Sequence, residues 1–85
     1  MIKSWSDEAW EEFEYWAKND KKIFKRILEL IKDIDRNGYT GIGKPEALKY
    51  DLSGYWSRRI TEKHRLIYVV TENQLIIIGC SEHYK

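Results

Sequence analysis

The second half of the chain contains a glutamate inside a basic loop, several arginines and a histidine–tyrosine pair near the C-terminus, which are residue types that can cleave RNA. Glu46 lies between lysines in the segment 44–49, which reads Lys-Pro-Glu-Ala-Leu-Lys. Arg59 and Arg65 follow on segments with the pattern of strands, and His83-Tyr84 lies near the C-terminus. We take these residues as the candidate site.

Cleavage of RNA through its own 2′-hydroxyl requires a base, an acid and positive charge around the phosphorane that forms. Glutamate and histidine have ordinary pKa values of about 4.3 and 6.5, so Glu46 is suited to act as the base and His83 as the acid. Lys44 and Lys49 lie on either side of Glu46 and favour its ionised form. Arginine suits phosphate because its planar fork binds two oxygens at once.

Two amphipathic helices are predicted upstream of these residues. Ser6 is placed to cap the first helix, whose apolar residues recur at helical spacing from Ala9 to Ala17. Asn19-Asp20 separates it from a second helix, whose apolar stripe runs from Ile23 to Ile34 before a stop at Asn37-Gly38. The short connection predicts an antiparallel helix hairpin.

Extended segments are predicted before and after the helices, at residues 2–5, 48–50, 55–60, 65–70 and 75–80. The order predicts an α+β domain spanning residues 1–85, with two N-terminal helices on one face of a mostly antiparallel four- to five-stranded sheet. Alternation along a strand places Arg59 with Ser57 and turns Arg58 to the opposite face. It does not set the register that would bring Arg59, Arg65 and His83 together.

Composition restricts the class of protein. The 85 residues are 42% hydrophobic, enough for one modest core, and their apolar runs are far shorter than a membrane span. One cysteine and two histidines predict neither an intramolecular disulfide nor a structural zinc site, and we expect no metal or other cofactor. No signal peptide is visible, so a cytoplasmic protein is expected.

Charge is unevenly distributed along the chain. Residues 1–20 have two basic side chains against six acidic ones, a net −4, whereas residues 21–85 have thirteen against eight, a net +5. This polarity suits a protein that presents a cationic face to a polyanion. By residue type alone, however, a glutamate in a glycine-rich loop is usually solvated, and arginines on strands often protect exposed edges.

Short segments carry a family resemblance: Ser4-Trp5-Ser6, Gly41-Ile42-Gly43-Lys44-Pro45-Glu46, Leu52-Ser53-Gly54, Trp56-Ser57-Arg58-Arg59-Ile60, His64-Arg65-Leu66-Ile67-Tyr68 and His83-Tyr84. They resemble the YoeB branch of the RelE/ParE-type toxins, and the resemblance covers essentially the whole chain. It implies a RelE-like, microbial-RNase-type fold. It also implies a toxin of a type II toxin–antitoxin system that cleaves mRNA in the ribosomal A site without a metal and so inhibits translation.

The resemblance implies a role for each candidate residue. Glu46 is expected to be the general base and His83 the general acid, while Arg65 stabilises the phosphorane and Tyr84 orients or stacks on the nucleotide. Phosphate of the substrate is expected to be held by three cations, Lys44, Lys49 and Arg59. The products would be a cyclic phosphate and a 5′-hydroxyl.

The resemblance also implies partners. These are ribosome-bound mRNA, the rRNA of the ribosome, and a YefM-like antitoxin whose disordered C-terminal segment folds over the toxin. A homodimer is expected, with operator DNA bound only through the antitoxin complex. Two other functions fit the same residues: a non-catalytic RNA- or ribosome-binding inhibitor of translation, and a subunit that chiefly binds an antitoxin and, with it, operator DNA.

Overall fold

The computed structural model describes residues 1–82, so the candidates His83 and Tyr84 lie outside the described residues. In this range the chain forms two α-helices, a 3-10 helix and five strands. Their bounds are β1 Ile2–Trp5, α1 Asp7–Asn19, α2 Lys21–Asn37, β2 Glu46–Ala47, the 3-10 helix Tyr50–Leu52, β3 Trp56–Arg59, β4 Arg65–Val70 and β5 Gln74–Gly79.

The helix boundaries follow from capping residues. The hydroxyl oxygen of Ser6 accepts a hydrogen bond from the amide of Ala9 at 3.1 Å and begins α1. Asp20 alone separates the helices, and its carboxylate accepts from amides in the first turn of α2. Gly38, at φ 64°, ends α2, and its amide donates to the carbonyl of Ile34 at 2.8 Å. The predicted caps are therefore confirmed.

The strands form a single sheet in the order β1-β5-β4-β3-β2, in which β1 runs parallel to β5 and the other neighbours are antiparallel. This confirms the predicted mostly antiparallel sheet. The register pairs Glu46 with Ser57 and Arg59 with Arg65. Three strands therefore bring these four residues to one end of the sheet.

One predicted strand differs from the structure. Leu48–Tyr50 is not a strand: β2 is the two-residue segment just before it, and Tyr50 begins the 3-10 helix. The amide of Leu48 still donates to the carbonyl of Tyr55 at 2.9 Å, which closes the pairing with β3. Tyr50 then takes φ 59°, which is incompatible with an extended strand.

The helices cover one face of the sheet. Apolar side chains of α2 pack against β4 and β5, and together they form the core: Ile23, Ile27, Leu30, Ile31, Ile34, Leu66, Tyr68, Leu75 and Ile77. Since strand residues alternate between faces, Ser57 and Arg59 point away from the helices. Within residues 1–82, neither helix has the length and apolar character needed to cross a membrane.

Candidate active site

Arg58 fixes the loop that leads into β2. Its side chain is 0% exposed and faces the helix side of the sheet. Nη2 donates to the carbonyls of Gly38 and Thr40 at 2.8 and 2.7 Å, and Nη1 donates to the carbonyl of Ile42 at 3.1 Å. One guanidinium therefore binds three backbone carbonyls within residues 38–42, a segment with no strand partner of its own.

Asp33 on α2 completes this arrangement, which we call the Arg58 clamp (Arg58, Asp33 and the loop carbonyls). Its carboxylate forms an ion pair with Arg58 Nη1 and accepts from the amide of Ile42 at 3.1 Å. The hydrogen bond from Arg58 holds the pKa of Asp33 below its ordinary value. Burying a guanidinium costs free energy unless its charge is paired and its N–H groups are hydrogen-bonded. Here Arg58 Nε also donates to the Tyr68 hydroxyl at 3.1 Å.

Two glycines allow the loop to lie against the clamp. A Cβ on Gly41, at φ 122°, would lie 1.9 Å from Asp33 Oδ2. A Cβ on Gly43, at φ 80°, would lie 2.8 Å from Leu30 Cδ2. The carbonyl of Gly43 accepts from the amide of Arg59 at 2.7 Å, so the loop stays attached to β3 until it reaches Glu46.

The loop and three strands enclose a small pocket of about 230 Å³, which we call the Glu46 pocket. Its lining is Lys44, Pro45, Glu46, Ser57, Arg59 and Arg65. One carboxylate thus shares a pocket with three cations. Within residues 1–82, none of these four charged groups forms an ion pair, so the cations are available to an anionic ligand.

Arg65 is held in place by backbone carbonyls. Its Nη1 donates to the carbonyls of Thr61, Glu62 and His64 at 2.8, 3.1 and 3.1 Å. Within the described part of the chain, Nε and Nη2 make no hydrogen bond. The turn before β4 therefore fixes the guanidinium and leaves one edge of it for a phosphate.

The last described residues run beside Arg65. The amide of Arg65 donates to the carbonyl of Ser81 at 2.8 Å, and His64 pairs with Glu82 in an isolated bridge. The carbonyl of Cys80 accepts from the Trp16 indole at 2.7 Å. The backbone at Ser81 is thus held beside Arg65, one of the residues that line the Glu46 pocket.

Four of the seven residues predicted from the sequence line one pocket: Lys44, Glu46, Arg59 and Arg65. Lys49 lies three residues beyond Glu46, at the start of the 3-10 helix, and is not among the lining residues. His83 and Tyr84 lie outside the described residues. Sequence reasoning did not identify Arg58 as the residue that positions the loop, although its place on the apolar face of β3 was the available signal.

A second, larger cleft of about 790 Å³ lies against α1. Its lining is Glu8, Glu11, Glu12, Tyr15, Trp16, His64, Ser81 and Glu82. Four carboxylates in one cleft disfavour the phosphates of RNA. The smaller, cationic pocket is the better candidate for phosphate chemistry.

Comparisons with known proteins identify the family of the chain. Residues 5–84 match a family described as the YoeB-like toxin of bacterial type II toxin–antitoxin systems. Toxin YoeB of Escherichia coli strain K12 is 56% identical over 80 residues, which are 94% of this chain and 95% of that protein. A YoeB dimer from Staphylococcus aureus has a TM-score of 0.93 at 50% identity, over 99% of this chain and 98% of that one.

A heterotetrameric YoeB–YefM toxin–antitoxin complex from Staphylococcus aureus gives a TM-score of 0.92 at 50% identity, again over 99% of this chain and 98% of that one. The family match, the sequence identity and the fold all extend over nearly the whole chain. The chain therefore belongs to the YoeB-like toxins of bacterial type II toxin–antitoxin systems.

Proposed function

We propose that the chain is a ribosome-dependent endoribonuclease that cleaves mRNA in the ribosomal A site and so inhibits translation. The observation that carries this proposal is the Glu46 pocket, in which one carboxylate shares a cationic cleft with Arg59 and Arg65. A carboxylate can accept a proton, and unpaired guanidinium groups bind phosphate. Membership of a toxin family gives such a nuclease its biological context.

In the proposed reaction, Glu46 takes the proton of a 2′-hydroxyl, whose oxygen then attacks the adjacent phosphorus. The bond from phosphorus to the 5′-oxygen breaks, and His83 protonates the leaving oxygen. The products are a 2′,3′-cyclic phosphate and a 5′-hydroxyl. No metal takes part in this scheme, because the two side chains carry both proton transfers.

Positive charge supports the proposed reaction. Arg65 stabilises the phosphorane, since its Nη1 is already fixed by three carbonyls and little reorganisation is needed. Arg59 and Lys44 hold the phosphate within the pocket. Tyr84 orients the nucleotide or stacks on it.

The test is to map the 5′ ends of a defined mRNA on translating ribosomes. Glu46→Gln should slow cleavage by about 100-fold or more, because loss of a general base costs at least that much. Glu14→Gln removes an exposed carboxylate of α1 outside the pocket and is the matched control, expected to cleave like the parent. A 2′-deoxy nucleotide at the cleavage site should block the parent protein.

Three results would contradict this scheme. If Glu46→Gln cleaved mRNA at the parental rate, Glu46 could not be the general base. Inhibition of translation without new mRNA ends would favour a non-catalytic binder of RNA or ribosomes. Absence of any inhibition by the chain alone would favour a subunit that acts mainly by binding an antitoxin and operator DNA.

The partners we propose follow from the relatives. A YefM-like antitoxin would bind and silence this chain, as the Staphylococcus aureus complex pairs YoeB with YefM. We expect the free chain to form a homodimer, the state named for the Staphylococcus aureus structure. Action on ribosomes implies a cytoplasmic site of action. Light scattering of the purified chain, with and without antitoxin, tests both assemblies.

A further inference from the structure

Tyr50 has an unusual backbone. It takes φ 59°, the left-handed conformation that residues with a Cβ rarely adopt. The turn that holds it is closed by two hydrogen bonds, from the amides of Leu52 and Ser53 to the carbonyls of Lys49 and Tyr50 at 3.2 and 3.0 Å. A tyrosine in this conformation costs free energy that glycine or asparagine would not.

The ring of Tyr50 makes no contact within residues 1–82 that would offset this cost in free energy. The residue is 91% exposed, and within residues 1–82 its side chain forms no hydrogen bond, ion pair or ring contact. Other tyrosines of the chain are used differently: Tyr39 stacks on Trp56 with ring centroids 4.5 Å apart, and Tyr68 is buried. A strained backbone that presents an unpartnered aromatic ring to solvent is a feature typical of binding sites.

The position of Tyr50 relates it to the Glu46 pocket. Both residues lie on the segment that forms the outer edge of the sheet, since β2 is the last strand in the order β1-β5-β4-β3-β2. Four residues of extended chain span at most about 14 Å, which sets the largest separation of their Cα atoms. Lys49, a cation, lies between them. An RNA strand with a phosphate at Glu46 can follow this open edge to the ring.

We propose that Tyr50 is a stacking platform for an mRNA base next to the cleaved phosphodiester, with Lys49 holding the intervening phosphate. The inference rests on the proposed function, because it takes RNA as the ligand. Stacking on an aromatic ring tolerates any base, so Tyr50 contributes affinity rather than codon preference. It does not touch the reacting atoms and acts on binding alone.

The test measures the affinity of Tyr50→Ala, Tyr50→Phe and Tyr50→Trp for ribosomes programmed with mRNA that carries a 2′-deoxy nucleotide at the cleavage site. Tyr50→Ala should bind about 5- to 150-fold more weakly, whereas the two aromatic variants should bind like the parent. Ile2→Ala is the matched control. It removes an apolar side chain that is 60% exposed on β1, at the opposite edge of the sheet, and should not change affinity.

A stability measurement separates this role from a structural one. Tyr50→Asn places a residue that tolerates the left-handed conformation in the same turn, so the temperature of unfolding should rise by about 4 °C while binding weakens as in Tyr50→Ala. A structural tyrosine would lower that temperature instead. With cleavable mRNA, Tyr50→Ala should raise KM and leave kcat within about threefold, since uniform binding is lost.

Other outcomes would overturn the inference. If Tyr50→Ala bound with the parental affinity, the stacking role of Tyr50 would be rejected, while the proposed cleavage by Glu46 would be unaffected. An equal loss on ribosomes without mRNA would assign the ring to an rRNA base, and a loss of antitoxin binding alone would assign it to a protein contact. If the parent cleaved nothing, the proposed function would fail, yet the binding measurement would still decide the role of Tyr50.

Discussion

Arg58 and Arg59 are neighbours on β3, yet their guanidinium groups lie in opposite environments. Arg58 is 0% exposed and clamps the loop that leads to β2, whereas Arg59 is exposed and lines the Glu46 pocket. Strand alternation alone separates them. One arginine therefore maintains the position of the loop, and the other is available to a ligand that this loop helps to enclose.

Methionine substitutions at these two positions should separate stability from activity. Arg58→Met should lower the free energy of unfolding by about 3–5 kcal/mol, because Asp33 and three loop carbonyls lose their buried partner. Arg59→Met should change it by no more than about 0.5 kcal/mol and still reduce cleavage. Urea unfolding and cleavage assays on both variants check this. A small loss of stability in Arg58→Met would show that the clamp is dispensable.

The Asp33–Arg58 pair predicts a pH dependence of stability. Since the hydrogen bond from Arg58 keeps the pKa of Asp33 below its unfolded value of about 3.9, the ionised pair stabilises the fold above that pH. The contribution is lost as pH falls through the lower, folded pKa. Asp33→Asn should therefore be less stable than the parent at pH 7, and the difference should shrink below about pH 4.

Urea unfolding at pH 7, 5 and 3 measures this difference. Asp51→Asn removes an exposed carboxylate that has no ion pair within residues 1–82, and it serves as the matched control. A gap between Asp33→Asn and the parent that stayed constant down to pH 3 would rule out the ionised pair as its source.

Glycine substitutions should show that the loop needs close contact and not only a special backbone conformation. Gly41→Ala should cost about 2–4 kcal/mol, because its new Cβ meets the Asp33 carboxylate at 1.9 Å in addition to the strain at φ 122°. Gly38→Ala, at φ 64° with nothing within 4 Å, should cost only about 1 kcal/mol. Thermal unfolding compares them. Equal costs would attribute the effect to backbone conformation alone.

Cys80 should be inert in the folded protein. The thiol is fully buried, and burial, with a smaller effect from Glu12, raises its pKa to about 12. At pH 8 a maleimide should not label the native chain, whereas one thiol should react in urea. Rapid labelling without denaturant would mean that the end of β5 opens readily.

Local sequence signals predicted the elements because the relevant interactions are local. Ser6 caps α1 through an amide three residues away, and Gly38 ends α2 through its own backbone conformation. The failed strand at 48–50 is also local in origin. Nothing in the types Leu-Lys-Tyr predicts a positive φ at Tyr50, since tyrosine favours extended backbone.

The residue types of the candidate site could be chosen from the sequence, but their arrangement in space could not. Glutamate and arginine are residue types that can serve phosphate chemistry, whereas the pairings Glu46–Ser57 and Arg59–Arg65 depend on strand register. The Arg58 clamp could not be predicted from the sequence for a different reason. Asp33 lies 25 residues before Arg58, and only the packing of α2 on the sheet brings the two charges together.

The parallel pairing of β1 with β5 joins residues 2–5 to residues 74–79. During synthesis the first of these strands leaves the exit tunnel long before its neighbour has been translated. Because β5 also separates β1 from β4, no shorter nascent segment can complete the sheet. We therefore expect the sheet to close only once residues 74–79 have been synthesised, so that a nascent chain interrupted before them cannot build the complete fold.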